Sequence, residues 1–282
     1  MPPEFLAPAT VAEALRELAA EDAIAVGGGT QVGLLARQGL IAPARLVWLG
    51  RIEGLRGVAV EPDGRLSIGA ATTLAEIAAS PAVRSAHPAL AGAAARVGNP
   101  RVRAVATLGG HLVQADPRQD LPPVLLALDA SVRLQSAAGE RRIALREFFA
   151  GPFETALAPG EVLTGVLVPV AAPGDRSAYL RFTPGSEGDY PTVGVAARLR
   201  LEEGVVRSAA VGLAGVHPRA LLVELPELVD RVPDREAVRA AAATAAAACD
   251  PASDQRGSAA YKRAMTALWS ARALERLLAL TD

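Results

Sequence analysis

The stretch AIAVGGGTQVGLLA, residues 23–36, decides how this chain begins to fold. Its apolar start, Ala23–Val26, predicts a short buried strand, and the spacing of Val32 and Leu35 predicts a helix over residues 31–38. Three glycines join the two elements, and glycine accepts a positive φ and lets a ligand approach the main chain. Free N–H groups at the start of such a helix hold phosphate. The same stretch is equally typical of a tight strand-to-helix turn that binds nothing.

A nicotinamide dinucleotide site of the usual type does not fit this stretch. Gly27 and Gly29 match the first two glycines of the GxGxxG fingerprint, but the third position holds Val32. The acidic residue that should follow the next strand is also missing, because Gly50 comes directly after Leu49. The sequence therefore favours another ligand, or none.

A second glycine-rich loop, TLGGH at residues 107–111, offers further backbone amides beside a threonine hydroxyl. Two such loops from different parts of the fold would be able to hold the pyrophosphate of a dinucleotide such as FAD from both sides. The flavin would then lie in the cleft between them. Sequence spacing alone leaves this as one possibility.

The predicted elements divide the chain into two parts, joined by the linker PVAAPGD at residues 169–175. Helices and strands mix before the linker, and Asp63-Gly64 predicts a hairpin within residues 58–71. After the linker three strands precede two helices, which is typical of an antiparallel α+β domain. The predicted helices cover residues 11–20, 31–38, 73–79, 88–97, 122–128, 234–248 and 258–280, and the predicted strands residues 23–26, 45–49, 131–135, 162–168, 177–183, 192–202 and 205–215.

The composition excludes several classes of protein. The 282 residues include 29 basic and 30 acidic side chains, a net charge of −1, which argues against a nucleic-acid binder. Cys249 is the only cysteine, which excludes an internal disulfide and a zinc or iron–sulfur site with cysteine ligands in this chain. We therefore expect any redox metal to lie on another chain.

We expect a soluble, cytoplasmic protein without an integral membrane segment. The start MPPEF lacks the segments of a secretory signal, and no run of 18 apolar residues occurs. The three histidines are far apart in sequence, and the common hydrolase, P-loop and EF-hand motifs are absent. We expect no catalytic side chain and no metal site.

Five segments, in order along almost the whole chain, resemble the FAD-binding medium subunit of molybdenum hydroxylases, the group that contains carbon monoxide dehydrogenase and xanthine dehydrogenase. The glycine-rich loops resemble that family's AGGT and T-[IV]-G-G-N loops. The others resemble its ASPxSDLxP, Y-x-[KR]-F…D-x-x-x-V-G-V and D-x-R-G-S-A-x-Y-[KR] patterns. The five segments are VGGGT (26–30), TLGGH (107–111), ADPRQDLPP (115–123), YLRFTP (179–184) with Asp189 and Val193-Gly-Val195, and DQRGSAAYKR (254–263).

The resemblance implies an α+β fold with two domains. Residues 1–172 would form a two-subdomain FAD-binding module of the vanillyl-alcohol-oxidase/PCMH type, with subdomains of about 1–55 and 56–172. Residues 176–282 would form an α+β C-terminal domain, an antiparallel sheet with helices on one face.

The resemblance also implies which residues bind FAD. Both glycine-rich loops would contact the pyrophosphate, and Asp120 would hydrogen-bond the ribose on the adenosine side, alone or together with a role as helix N-cap. Arg181 would lie near the flavin and stabilise its anionic form, the alternative being a charge on the strand surface. The predicted cofactor-binding residues are Val26, Gly27, Gly28, Gly29, Thr30, Thr107, Leu108, Gly109, Gly110, His111, Asp120 and Arg181.

The chain departs from the family pattern at three positions. His111 stands where the family usually has an asparagine that contacts the cofactor, and we expect its imidazole to titrate near neutrality and to donate a ring N–H to phosphate or flavin. Gly27 replaces an alanine. Gly185 stands where many relatives have an arginine.

The function that the resemblance implies is a relay. This chain would hold FAD noncovalently and pass electrons from [2Fe–2S] clusters on a small subunit to an external acceptor, while a large subunit oxidises the substrate at a molybdenum cofactor. The complex would be a dimer of heterotrimers. Two alternatives stay open: a free-standing flavin oxidase, which would need a base such as His111 or Tyr190, and a docking subunit of the same fold that has lost FAD.

Overall fold

The computed structural model describes residues 2–280, which form three lobes, each with its own main sheet. The first lobe is a three-stranded parallel sheet with two helices. Thr10 begins the first helix as predicted: its hydroxyl accepts the N–H of Glu13, whose carboxylate accepts the N–H of Thr10 in return. The elements are β1 (Glu4–Leu6), α1 (Val11–Leu18), β2 (Ala23–Val26), α2 (Thr30–Arg37) and β3 (Arg45–Trp48), with sheet order β1-β3-β2.

The second lobe is built on a five-stranded antiparallel sheet of order β4-β5-β10-β6-β7. Its central strand is buried along its whole length. The hairpin predicted at Asp63-Gly64 is present, and Gly64 takes the positive φ of 83° that the turn requires. The elements are β4 (Val58–Val60), β5 (Leu66–Gly69), α3 (Leu74–Ala79), α4 (Pro81–Ala86), α5 (Pro88–Ala94), α6 (Pro100–Arg103), α7 (Leu108–Val113), α8 (Leu121–Ala127), β6 (Ser131–Ser136), β7 (Gly139–Ala144), α9 (Leu145–Phe148), β8 (Phe149–Gly151), β9 (Glu154–Thr155) and β10 (Val162–Val168).

The C-terminal lobe is an antiparallel sheet covered on both faces. Val195 packs with its two helices, while the next residue, Ala196, faces the core of the second lobe. On that second face helix α8 lies so close that a Cβ on Gly212 would be 2.0 Å from the carbonyl oxygen of Pro123. The elements are β11 (Asp175–Phe182), β12 (Val193–Glu202), β13 (Val205–Ala214), β14 (Leu221–Glu224), α10 (Arg235–Ala247) and α11 (Ala259–Leu278). The α+β fold class is thus confirmed.

The sequence-based elements differ from the structure mainly where the elements are short. Pro81 and Pro100 each begin a helix of one or two turns, too short to show an apolar period. The loop at residues 107–111, predicted as a turn, is the first turn of α7. The predicted helix 88–97 ends at Ala94, and strands β7 and β14 were not predicted. Within residues 2–280 no helix is long and apolar enough to cross a membrane.

Candidate functional site

A cavity of about 560 Å³ lies where the three lobes meet. Both glycine-rich loops line it, together with residues from the 97–102 segment, Gln119 and Asp120 of the second lobe, and residues 188–190 of the C-terminal lobe. Its volume falls within the roughly 300–1,000 Å³ of sites that hold cofactors and drug-sized ligands. The two loops, 80 residues apart in sequence, therefore face one common space.

The first loop lines this cavity with a row of residues whose backbone amides have no hydrogen-bond partner in the described part of the chain. Gly29 takes a left-handed φ of 70° at the N-cap of α2, and the N–H groups of residues 27–32 have no hydrogen-bond partner among residues 2–280. All six of these residues line the cavity. Converging N–H groups at the positive end of a helix are what a phosphate group requires. The arrangement fits the pyrophosphate of FAD.

The second loop differs from the first, because most of its amides are already used. The N–H of Leu108 donates to the carbonyl of Thr72 at 2.9 Å, and that of Gly109 donates to the carbonyl of Ala70 at 2.8 Å. The N–H of Gly110 donates to Oγ1 of Thr107 at 3.3 Å. The prediction that this loop offers a set of free amides is therefore wrong for residues 108–110. These bonds fix α7 against the second lobe, so that the loop forms a wall of the cavity.

The two loops touch through positions where a side chain cannot fit. A Cβ on Gly27 would lie 2.3 Å from Oγ1 of Thr107, and a Cβ on Gly28 would lie 1.8 Å from the carbonyl oxygen of Val105. Gly109 is similarly close to Ala70. Gly27 and Gly28 therefore allow the first and second lobes to approach each other, whereas Gly109 allows α7 to lie close to the end of β5 within the second lobe.

His111 faces the cavity with one ring nitrogen unpartnered. Its Nε2 is buried and makes no hydrogen bond among residues 2–280, although the residue as a whole keeps some exposure. Burial lowers the pKa of the imidazole to about 4, and the nearby carboxylate of Asp116 opposes this only partly. The prediction that His111 titrates near neutrality is therefore wrong. The neutral ring leaves Nε2 available as a donor or an acceptor, according to its tautomer, toward a bound ligand.

Asp120 also lines the cavity, and its carboxylate is held by two side chains of the C-terminal lobe, Tyr179 and Arg181. Oδ1 accepts the hydroxyl of Tyr179 at 2.6 Å and lies 3.5 Å from Nε of Arg181. The side chain does not cap α8. Burial raises the pKa of Asp120 to about 6, outweighing the guanidinium and the tyrosine hydroxyl, which both lower it. Gly194 makes this contact possible, because a Cβ there would lie 2.6 Å from the Tyr179 hydroxyl.

Arg181 is buried behind Asp120 and is not part of the cavity wall. Its Nη1 donates to the carbonyl of Arg96 at 2.6 Å, and its Nη2 donates to the carbonyl of Asp189. The alternative of a charge on the strand surface is wrong, since the side chain is only 1% exposed. Val26 and Leu108, the other predicted residues outside the lining, are buried behind their loops.

Sequence reasoning missed the third wall of the cavity. Nε2 of Gln31 donates to the hydroxyl of Tyr190 at 2.9 Å, which joins the first lobe to the C-terminal lobe. The guanidinium of Arg118, which donates two hydrogen bonds to the carboxylate of Asp116, lies 5.0 Å from the centre of the Tyr190 ring. Burial raises the pKa of the Tyr190 phenol. The sequence pointed to Tyr190 only as a possible base of a free-standing oxidase, and its contacts with Gln31 and Arg118 were not predicted.

The described residues, 2–280, contain no group of three or more His, Cys, Asp or Glu side chains that would hold a metal ion. The polar residues at the cavity instead supply main-chain amides, one neutral imidazole, amides of glutamine and asparagine, hydroxyls of threonine and tyrosine, and the carboxylates of Asp120 and Asp189. Such a set suits a phosphate-containing organic cofactor that has both charged and neutral hydrogen-bonding groups.

Comparison with known proteins gives a consistent result. A family model described as the FAD binding domain in molybdopterin dehydrogenase matches residues 2–171, and one described as the CO dehydrogenase flavoprotein C-terminal domain matches residues 178–277. The carbon monoxide dehydrogenase medium chain of Hydrogenophaga pseudoflava is 34% identical over 275 residues, covering 96% of this chain and 95% of the relative. The 6-hydroxypseudooxynicotine dehydrogenase complex subunit alpha of Paenarthrobacter nicotinovorans is 34% identical, covering 98% and 96%.

A solved structure of carbon monoxide dehydrogenase from Hydrogenophaga pseudoflava has the same fold over the whole length. The TM-score is 0.95 at 34% sequence identity, with 100% of this chain and 99% of that chain covered. The similarity includes all three lobes, and therefore the cavity between them.

Proposed function

Because this chain belongs to the family of FAD-binding medium subunits of molybdenum hydroxylases, we propose that it works within a multisubunit complex and transfers electrons from the [2Fe–2S] clusters of a partner subunit to an external acceptor. The chain is an FAD-binding oxidoreductase subunit. Bound FAD supplies the redox chemistry, and this chain's residues supply binding, orientation and electrostatics.

The observation that supports this proposal most directly is the row of amides at residues 27–32. The six N–H groups of these cavity-lining residues have no partner within the described chain, so water or a ligand must satisfy them. A pyrophosphate presents several strong acceptors and two negative charges, which match these donors and the start of α2. We propose that residues 27–32 hold the pyrophosphate, and that Thr107, Gly109 and Gly110 bound it on the opposite side.

His111 and Asp120 have separate roles in the proposed site. The unpartnered Nε2 of His111 hydrogen-bonds the cofactor as a neutral ring, which the low pKa favours at pH 7. Asp120 accepts a hydroxyl of the ribose while Tyr179 and Arg181 fix its carboxylate. We propose Arg181 as a residue that orients Asp120 rather than one that contacts the flavin.

The free-standing oxidase is less well supported. Such an enzyme needs a group that takes a proton from its substrate near pH 7. His111, with a pKa of about 4, is a weak base at that pH, and burial raises the pKa of Tyr190 so that its phenol stays protonated. The docking subunit without FAD is also disfavoured, because no side chain among residues 2–280 satisfies the amides of the first loop.

We also propose the larger assembly that the sequence implied. The partners would be a large molybdenum-cofactor subunit and a small [2Fe–2S] subunit, assembled as a dimer of heterotrimers. Cys249 is buried and unpaired, which suits the reducing cytoplasm. We propose the boundary between the FAD-binding domain (1–172) and the C-terminal domain (176–282) within the linker before β11.

The decisive experiment compares the native complex with the same complex after its flavin has been removed. Reduction by the complex's own substrate should still bleach the absorption of the iron–sulfur clusters, while reduction of the external acceptor should be lost. Adding back FAD should restore it. Acceptor reduction that continues at full rate without flavin would contradict the proposed relay, and a chain that never binds FAD would contradict the site.

A further inference from the structure

A second cavity, of about 400 Å³, lies at the seam between the FAD-binding lobes and the C-terminal lobe. It is lined by the junction of α4 and α5, the linker at residues 169–171, and parts of β11, β12 and α11. Within the described residues it shares no lining residue with the cofactor cavity. It is therefore a separate space, and the family's cofactor chemistry does not account for it.

This seam cavity carries an excess of positive charge. Three guanidinium groups line it, those of Arg176, Arg198 and Arg276, against the single carboxylate of Asp175. Nη2 of Arg198 pairs with Asp175 at 3.0 Å, whereas Nη1 of Arg176 donates to a neutral carbonyl, that of Leu277. Within residues 2–280 neither Arg176 nor Arg276 has an ion pair. Both side chains are exposed to solvent, and their two positive charges have no carboxylate partner among the described residues.

The fifth ionisable group of the cavity, the imidazole of His87, does not change this balance. His87 is buried, and its Nε2 lies 2.9 Å from the carbonyl oxygen of Pro169, so that this nitrogen carries the hydrogen. Burial lowers the pKa of His87 below its usual value, and the ring is neutral at pH 7. The excess of two positive charges therefore belongs to arginines alone.

Asp175 has one carboxylate oxygen without a partner. Its side chain is only 8% exposed, and Oδ2 accepts both the N–H of Ala172 at 2.9 Å and the guanidinium of Arg198. Oδ1 is buried and has no hydrogen bond among residues 2–280. A buried carboxylate oxygen is unfavourable unless a donor reaches it. Because Asp175 is a lining residue, a ligand hydroxyl that reached Oδ1 would supply the missing donor.

We propose that the seam cavity binds a small dianion that carries a hydroxyl group, of the hydroxydicarboxylate or phosphate-ester class. Its acidic groups would pair with Arg176 and Arg276, and its hydroxyl would donate to Oδ1 of Asp175. Because the cavity is lined by both halves of the chain and by the linker, the bound ligand would hold them together. Binding of this ligand should therefore raise the melting temperature of the full chain.

Two pairs of probes test the proposal on the full chain by calorimetric titration. L-malate and succinate have the same two charges and differ by one hydroxyl, so malate should bind about tenfold or more tightly. Glycerol 3-phosphate and propyl phosphate make the same comparison for a phosphate ester, because both carry the phosphate group and only the first carries alcohol hydroxyls. Whichever of malate and glycerol 3-phosphate binds more tightly shows whether the acidic groups of the ligand are carboxylates or a phosphate. No binding of either hydroxyl-bearing probe at millimolar concentration, or equal binding of malate and succinate, would overturn the proposal.

Charge variants locate the site. Arg276 lies exposed on α11, so the Arg276→Gln variant should fold normally. Its affinity for the more tightly bound probe should fall about tenfold or more, because a charge-assisted hydrogen bond is lost. Arg239→Gln removes a charge from the exposed face of α10, outside the cavity, and should leave binding unchanged. Asp175→Asn should reduce the preference for malate over succinate. Equal affinity of the Arg276→Gln variant and the unmodified chain would place the anion elsewhere and overturn the assignment.

Discussion

The hydroxyl of Tyr179, on the first strand of the C-terminal lobe, donates to Oδ1 of Asp120 at 2.6 Å, and both side chains are buried. The contact crosses the boundary between two lobes and reaches a residue that lines the cofactor cavity. The C-terminal lobe thus helps to fix a side chain of the site, although the glycine-rich loops belong to the other two lobes.

We expect Tyr179→Phe to lower the stability of the fold and to hold the Asp120 carboxylate less firmly in the cofactor cavity. The variant keeps the ring but leaves a buried carboxylate without its tyrosine donor, so the free energy of unfolding should fall by about 1–3 kcal/mol. Urea unfolding at pH 7 measures the loss. Gly194→Ala should produce a similar loss, because its Cβ would meet the Tyr179 hydroxyl. Unchanged stability in both variants would show that the contact contributes little.

Substituting His111 should change how stability responds to acid. The pKa of His111 is lowered from 6.5 to about 4 in the folded chain, so its contribution to stability is present above pH 6.5 and is lost as the pH falls through about 4. The His111→Asn variant has no imidazole at this position and therefore lacks this pH-dependent contribution to stability. Between pH 6.5 and pH 4 the variant should therefore lose less stability than the original chain, by on the order of 2 kcal/mol. Denaturant unfolding across this range measures the difference, and parallel curves would contradict it.

Substituting Asp120 should change the pH dependence of stability in the opposite direction to substituting His111. Its pKa is raised from 3.8 to about 6 in the folded chain, so its contribution is present below pH 3.8 and is lost as the pH rises through about 6. Asp120→Asn removes that loss while keeping an acceptor for Tyr179. Between pH 4 and pH 7 stability of the variant, relative to the original chain, should increase with pH. A relative decrease would mean that Arg181 outweighs burial at this carboxylate.

The amide row of the first loop is tested by two neighbouring glycines. Gly29 has a φ of 70°, where a Cβ costs about 1–2 kcal/mol, so Gly29→Ala should distort residues 27–32 and weaken FAD binding about tenfold or more. Gly33 lies in α2 with open space around it and outside the cavity lining, so Gly33→Ala should keep FAD affinity. Fluorescence titration of the full chain with FAD measures both. Full affinity in Gly29→Ala would argue against a pyrophosphate at this loop.

The unpartnered nitrogen of His111 predicts a difference between two replacements. His111→Asn keeps a polar side chain at the position and should retain FAD binding, whereas His111→Leu leaves the ligand without a partner and should weaken it about tenfold. Equilibrium dialysis with FAD gives both affinities. Equal retention in both variants would show that Nε2 does not contact the cofactor.

The sequence revealed the first loop because its signals are local. A strand, three glycines and a helix period stand within residues 23–38, and each element forms at that place. The N–H groups of Leu108 and Gly109 donate to the carbonyls of Thr72 and Ala70, which lie 36 and 39 residues earlier in the chain. No pattern within the TLGGH segment carries that information, so its amides were predicted to be free.

The roles of the long-range residues also lay outside the reach of sequence patterns. Gln31 meets Tyr190 across 159 positions, and the contact depends on how the first and C-terminal lobes pack. Arg181 was assigned to the flavin by its position in a motif, but packing places Asp120 between it and the cavity. A motif identifies which residues matter, whereas their partners depend on the fold.

Gly28 meets the carbonyl of Val105 rather than empty space, so the neighbouring main chain alone already forbids any larger residue there. A descendant of this protein that had abandoned its nucleotide would still have to keep that glycine in order to fold. Retention of Gly28 among related chains therefore reports how their lobes are joined, and the exposure of the amides that follow it is the better guide to which of them still carry a flavin.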